Sequence, residues 1–424
     1  MRFLKFFIIC ASFTVVLSGC GGGGGGTNPV SDTATNSSTG PTTPTSTPIA
    51  PPPPSLTANQ VPVLASGQAF NTVNRLYVDV TVCASGTSTC QTVHDVIVDS
   101  ASFGLRLYAS ALTPAMLKAL PVTKVALGTL NECSMFAGGN LWGSVRTADV
   151  QMAGEAAKAI PVQVIEDGAN PVPSACSSAG TLNKTPASLG GNGLIGVGTL
   201  TKDCGTYCEQ IVSNPYYYSC TGGTCTQTSV SVSQQVVNPV SAFSTDYNGV
   251  FISLPAVPPH GASSAPGTMT FGIDTQANNT LSSMGLATYT MKPNSQEVNA
   301  TYNGTAMSAF FDTGSGMNYF SDNSIPECSN YSMFCPSSDL SLSTQVQGLN
   351  GASTSIPFTV GNGTALLSQN PLQFAIPALA ATSGSNSMLA GAFDFGLPFF
   401  FGRTVGFLFS DSASTATLGP AISF

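Results

Sequence analysis

The chain runs to 424 residues, of which 42% are hydrophobic and only 8% charged, against roughly a quarter charged in an average soluble domain. Lys and Arg number 12 against 20 Asp and Glu, a formal net charge of −8, so there is no basic field to hold a nucleic-acid backbone. With 2 histidines in the chain, histidine-based catalysis and histidine-rich metal sites are poorly supplied as well.

Residues 1–19 open with Arg2 and Lys5 and continue in an apolar run. At about 14 residues that run is too short to cross a bilayer comfortably, and the arrangement is that of an export signal. It closes on Leu17, Ser18, Gly19 and Cys20, which resembles a bacterial lipobox. That resemblance implies that Cys20 is lipidated and becomes the mature N-terminus. Residues 20–56 hold a run of glycines and then a Pro, Thr and Ser tract. Such a composition has nothing to bury and reads as a tether. The expectation is a body anchored by lipid to the bacterial outer membrane, facing the periplasm or the cell surface.

From residue 57 onward the pattern is that of strands. RLYVDVTV (75–82), DVIVDS (95–100), VRTADVQM (145–152), IPVQVIE (160–166), NGVFISL (248–254) and GRTVGFLF (402–409) are short and rich in Val, Ile, Phe and Thr. Gly, Pro, Asn and Ser separate them, as in a large all-β body. The best helix candidate is residues 113–120, with Thr113 as N-cap and Pro114 in the first turn. Apart from Cys10 and Cys20, the cysteines form an even set, which in an exported protein points to disulfides. Cys83 with Cys90, Cys204 with Cys208, Cys220 with Cys225 and Cys328 with Cys335 are close in sequence, leaving Cys133 and Cys176 for each other. Spacing does not fix connectivity, and a metal cluster is the competing use of these thiols. The absence of a CxxC pair weighs against zinc, so neither metal nor cofactor is expected.

The informative feature is a near repeat. VIVDSAS (96–102) places Asp99 after an apolar strand, and AFFDTGS (309–315) does the same for Asp312. Each aspartate is followed by a hydroxyl, a small residue and a second hydroxyl. The pair resembles the active-site motifs of pepsin-like aspartic proteases. FAGGNLWGSVRTADVQMAGE (136–155) resembles the flap hairpin of that family, with Phe136, Gly138, Gly139 and Trp142 over the substrate. Trp142 could equally serve to pack the hairpin. GNGLIGVG (191–198) and FGLPFFFGRTVGFLF (395–409) resemble the segments that close the two lobes behind each aspartate. DSASFGLRL and GLPFFFGR also look like a group of bacterial lipoproteins distantly related to pepsins. The resemblance implies an all-β, two-lobed pepsin-like fold with a cleft between lobes spanning 57–279 and 280–424. It also implies a monomer that acts on peptide or protein.

On this resemblance Asp99 and Asp312 would share acid and base duty, because two carboxyls about 3 Å apart cannot both ionise. Ser100 and Thr313 would cross-brace the two loops, Ala101 and Gly314 would offer backbone N–H groups, and Ser102 and Ser315 would bond the outer oxygens. Four positions depart from the family pattern. Ala101 replaces Gly, Phe136 replaces the flap Tyr, Arg106 stands in place of the Trp that bonds that Tyr, and Asp394 occupies a normally apolar place. A noncatalytic module that holds extended peptide or cell-envelope ligands in the same cleft is the alternative. A Ser-His-Asp triad on His94 or His260 is a further possibility on paper. Asp322, Asp339 and Asp411 read as loop residues.

Overall fold

The computed structural model describes residues 56–424 apart from 330–331, 370 and 385–388. The export signal, Cys20 and all but the last residue of the tether lie outside the described residues. The protein is all-β and two-lobed, built on a 16-stranded and a 7-stranded sheet. The larger sheet holds the first-lobe strands and also takes in Thr288–Thr290, Thr404–Leu408 and Ala421–Ser423 from late in the chain. Gly249–Ser253 is the joint, pairing Ala265–Phe271 on one side and Thr404–Leu408 on the other. The smaller sheet is confined to residues 298–395.

Patterning explains which faces are buried. Leu340–Gln347 alternates buried and exposed positions at its C-terminal end, as an outer strand with one wet face should. Gly193–Val197 is buried throughout because separate apolar clusters cover its two faces, Leu194 in one and Ile195 with Val197 in the other. The second-lobe core is a stack of phenylalanines. Phe311 lies on Phe395 with centroids 5.0 Å apart, and Phe320 on Phe393 at 4.9 Å. The predicted helix is present as Pro114–Ala119, its N-cap Thr113 accepting from the Met116 N–H.

The two Asp motifs are built the same way. In the first lobe, Cys90–Asp99 runs parallel to Gly193–Val197, which pairs antiparallel with Phe103–Tyr108. In the second, Thr305–Phe311 runs parallel to Ala392–Phe395, which meets Asn318–Phe320 antiparallel. The inserted strand of each trio has a glycine next to its last residue, one before it and one after, pressed on the chain that follows the aspartate. A Cβ on Gly196 would lie 2.3 Å from the Phe103 nitrogen, and one on Gly396 would lie 2.0 Å from the Met317 carbonyl oxygen. That close approach explains why both closing segments carry glycine there.

All five disulfides pair as the spacing suggests, Cys133 with Cys176 included. Cys133–Cys176 spans a sequence separation of 43 and Cys204–Cys208 only 4. Loop-closure entropy therefore assigns about 4 kcal/mol to the first and about 2 to the second. Replacing Cys133 and Cys176 together by Ala is expected to lower unfolding free energy about twice as much as removing the Cys204 pair. Urea titration of the two variants checks this, and equal losses would refute the loop-length argument.

Candidate active site

Asp99 sits at the end of its strand and Asp312 just past the end of its own, and both are fully buried at the seam of the lobes. The neighbouring hydroxyls tie the two loops in a reciprocal brace. Ser100 N–H donates to Thr313 Oγ1 (3.1 Å) and Thr313 N–H donates to Ser100 Oγ (3.0 Å). Each hydroxyl then donates onward to the opposite strand, Ser100 to the Phe311 carbonyl and Thr313 to that of Val98, both at 2.8 Å. The first lobe clamps the second loop from outside as well. Asn74 bonds the Gly316 and Ile376 carbonyls, and Arg75 donates to the Gly314 carbonyl at 2.7 Å.

Gly314 stands between the two carboxyls. A Cβ there would lie 2.9 Å from Asp99 Oδ2 and 3.0 Å from Asp312 Oδ1, which bounds the separation of those oxygens at about 6 Å. Donors are shared unequally. Asp312 accepts from Gly314 N–H at 2.7 Å and Ser315 Oγ at 2.9 Å, whereas Asp99 accepts from Ala101 N–H at 2.9 Å. Ser102 stands beside Asp99 and eases its charge, yet its hydroxyl makes no hydrogen bond of normal geometry. Burial and the charge of Asp312 push Asp99 well above the usual carboxylate range. Burial also raises Asp312, but Ser315, Gly314 and Asp99 hold it down. Of the two, Asp312 has the fuller set of donors with which to carry a charge, and Asp99 the poorer one.

The hairpin that resembles a flap is Gly128–Phe136 with Gly139–Met152. Its tip is anchored from behind. Asn140 N–H donates to the Thr181 carbonyl, the Asn140 side chain to that of Cys176, and Asn183 reaches the Gly138 carbonyl. Gly139 has φ +130°, and a side chain there would strike Thr181 and Asn183. Phe136 is buried in an apolar cluster with Ala101 from its own lobe and Phe310, Tyr319 and Leu389 from the other. Trp142 is packed away, edge-on to Tyr218 beside the Cys133–Cys176 bridge, with its indole N–H on the Asn170 carbonyl. It braces the hairpin.

Arg106 has an unexpected set of partners. Its guanidinium faces the Phe136 ring at 5.7 Å and donates to Ser134, Phe103, Glu132 and Asp203. Burial pushes Glu132 up to about 8 although Arg106 opposes the shift. A buried network of charged and polar groups thus lies behind Phe136. Asp394 is also fully buried, 2.6 Å from Ser315 Oγ. His94 pairs with Asp79 on the surface rather than with Asp99, and His260 is exposed. Asp322 caps its own loop and accepts from Ser324, Tyr302 and Asn303.

Sequence reasoning does not find Asn74, Arg75, Asn140 or Asn183, which reach the site only by tertiary contact. Gln296 is another, linking the Ala101 carbonyl to the Thr199 N–H.

Residues 55–424 match the family described as "Protein of unknown function (DUF3443)", and the chain belongs to that family. No curated protein matches it in sequence. Among solved structures it is similar to an aspartic proteinase from Irpex lacteus, with a TM-score of 0.48 and 14% identity over 86% of this chain and 96% of that one.

Proposed function

We propose that this DUF3443 member is an aspartic endopeptidase that hydrolyses peptide bonds by activating water between Asp99 and Asp312. The observation that carries the reading is the cross-braced pair of buried carboxyls with unequal donor sets. Asp312, the ionised member, would take a proton from the attacking water. Asp99 would use the shared proton to polarise the scissile carbonyl. No covalent intermediate is needed. The braces hold both groups before substrate arrives, so little reorganisation is left for the reaction itself. The deciding experiment is digestion of a peptide library by the full chain across about pH 3 to 8, with a statine-type transition-state mimic as inhibitor. Cleavage blocked by that mimic supports the reading, and intact peptides at every pH would refute it.

One observation favours a second reading, in which the cleft binds peptide or cell-envelope ligands without cutting them. Phe136 and Leu389 belong to an apolar cluster that spans both lobes, and the two aspartates have no solvent exposure. Saturable peptide binding without product formation would select this alternative.

Cys20 closes the lipobox, so lipid anchoring at the outer membrane belongs to the same proposal. Cys20→Ala is expected to block signal processing and to prevent fatty-acid incorporation. Labelled fatty acid on the variant would overturn this.

A further inference from the structure

The two lobes repeat one motif with a single chemical difference. Leu194 stands opposite Ile97 in the first lobe, and Asp394 stands opposite Phe310 in the second. Ser102 and Ser315 occupy equivalent places after the two aspartates. Ser315 alone has a carboxyl on its far side, because Asp394 replaces the leucine.

Ser315 Oγ lies 2.9 Å from Asp312 Oδ2 and 2.6 Å from Asp394 Oδ2. A hydroxyl owns one proton, so it cannot donate to two carboxylates at once. One neighbour must itself donate, and a carboxyl donates only when protonated. Asp312 has the Gly314 N–H on its other oxygen and the support of Asp99, so it is equipped to be the anion. Asp394 Oδ1 is buried with no hydrogen-bond partner, so as an anion Asp394 would be poorly solvated. The proton order that satisfies every atom runs from Asp394 to Ser315 to Asp312.

We infer that Asp394 is a third, protonated carboxyl of the acid centre, a positioning residue that turns the Ser315 hydroxyl toward Asp312 and whose own ionisation extends the centre's working range toward neutral pH. The inference rests on the proposed peptidase reading only for the last consequence. The titratable groups acting on Asp394 are Asp312 and then Asp99. Tyr319 is its cross-strand partner, and Arg75 reaches the same loop through the Gly314 carbonyl. When Asp394 loses its proton, the Ser315 hydroxyl swings to it. Asp312 then loses a donor, and a second negative charge stands beside the dyad. Both changes strengthen the dyad's hold on its shared proton. The singly protonated form therefore survives to higher pH than two carboxyls alone would allow.

Asp394→Asn tests this, since the amide donates to Ser315 at every pH and never ionises. The direct readout is a carboxyl NMR titration of the full chain labelled with carboxyl-¹³C aspartate, which leaves Glu132 silent. At pH 6 the unmodified protein is expected to show protonated carboxyls at Asp99 and Asp394. Asp394→Asn should show one fewer and should release the remaining dyad proton about one pH unit lower or more. If peptide cleavage is observed, its alkaline limb should move by the same amount. Should Asp394→Asn not fold, Asp99→Asn is the second variant, and it should retain the Asp394 proton at pH 6. An ionised Asp394 at pH 6, or a dyad proton that titrates unchanged in Asp394→Asn, would overturn the inference. Failure of cleavage with the expected titration would refute the peptidase reading alone.

Discussion

Asp312→Asn and Asp99→Asn are each expected to reduce peptide cleavage on the order of 10⁴-fold while leaving the fold in place. Asparagine preserves the side-chain shape and can still accept from the Gly314 or Ala101 N–H. It cannot act as a base, and it cannot supply the second carboxyl that shares the proton. The two losses should not add, because either change alone removes the pair as a unit. The double variant should therefore be no slower than the single ones. Circular dichroism and urea midpoints near those of the unmodified chain would show that the loss is chemical. Both aspartates are buried anionic or acidic sites, so neither variant should be markedly less stable. Undiminished cleavage by Asp312→Asn would remove the mechanism outright. A double variant far slower than both singles would show that the aspartates act separately.

The sequence reaches the centre of this site and little of its surroundings, for a physical reason. Asp99 and Asp312 are readable because each motif is local, with strand, aspartate, hydroxyl, small residue and hydroxyl in consecutive positions. Gly196 and Gly396 are readable as partners because the chain needs glycine wherever a strand crosses the loop at contact distance. Asp203 is different. It joins Glu132 and Arg106 only after the segment following the first closing strand has folded back behind the flap. Nothing in its own neighbourhood marks it. The return of Thr404–Leu408 and Ala421–Ser423 to the first sheet is similarly invisible, since pairing between distant strands leaves no local periodicity. Trp142 reads in the sequence either as a substrate platform or as hairpin packing, and the residues around it, Tyr218 and the Cys133–Cys176 bridge, are distant in sequence.

Arg106→Met is expected to cost about 3–5 kcal/mol, because it strips Asp203 of its cation and leaves the buried oxygens of Glu132, Ser134 and Phe103 without their donor. Methionine fills much of the same volume, so the loss reports the missing donors rather than a void. Arg106 and Glu132 are 2% and 0% exposed, so water cannot replace what the guanidinium gives to Glu132, Ser134 and the Phe103 carbonyl. Adding Glu132→Leu should recover part of the loss, because it removes a buried acceptor left without its donor. The pH dependence carries an independent signature. Glu132 is raised in the folded state from 4.5 to about 8, so between those values the folded protein holds a proton that the unfolded chain releases. Stability then falls as pH rises through that window, and Asp99 and Asp394, raised in the same direction, add to the slope. Glu132→Gln keeps an acceptor for Arg106 but cannot titrate, so its urea midpoint should decline less steeply over the same range. Because Arg106 also faces the Phe136 ring, loosening it frees the flap. The peptide KM of Arg106→Met should rise more than its kcat falls, since the dyad and its braces lie on other residues. A fall confined to kcat would mean that the network acts on the carboxyls themselves, and equal midpoints for Arg106→Met and the unmodified chain would leave the network no part in stability.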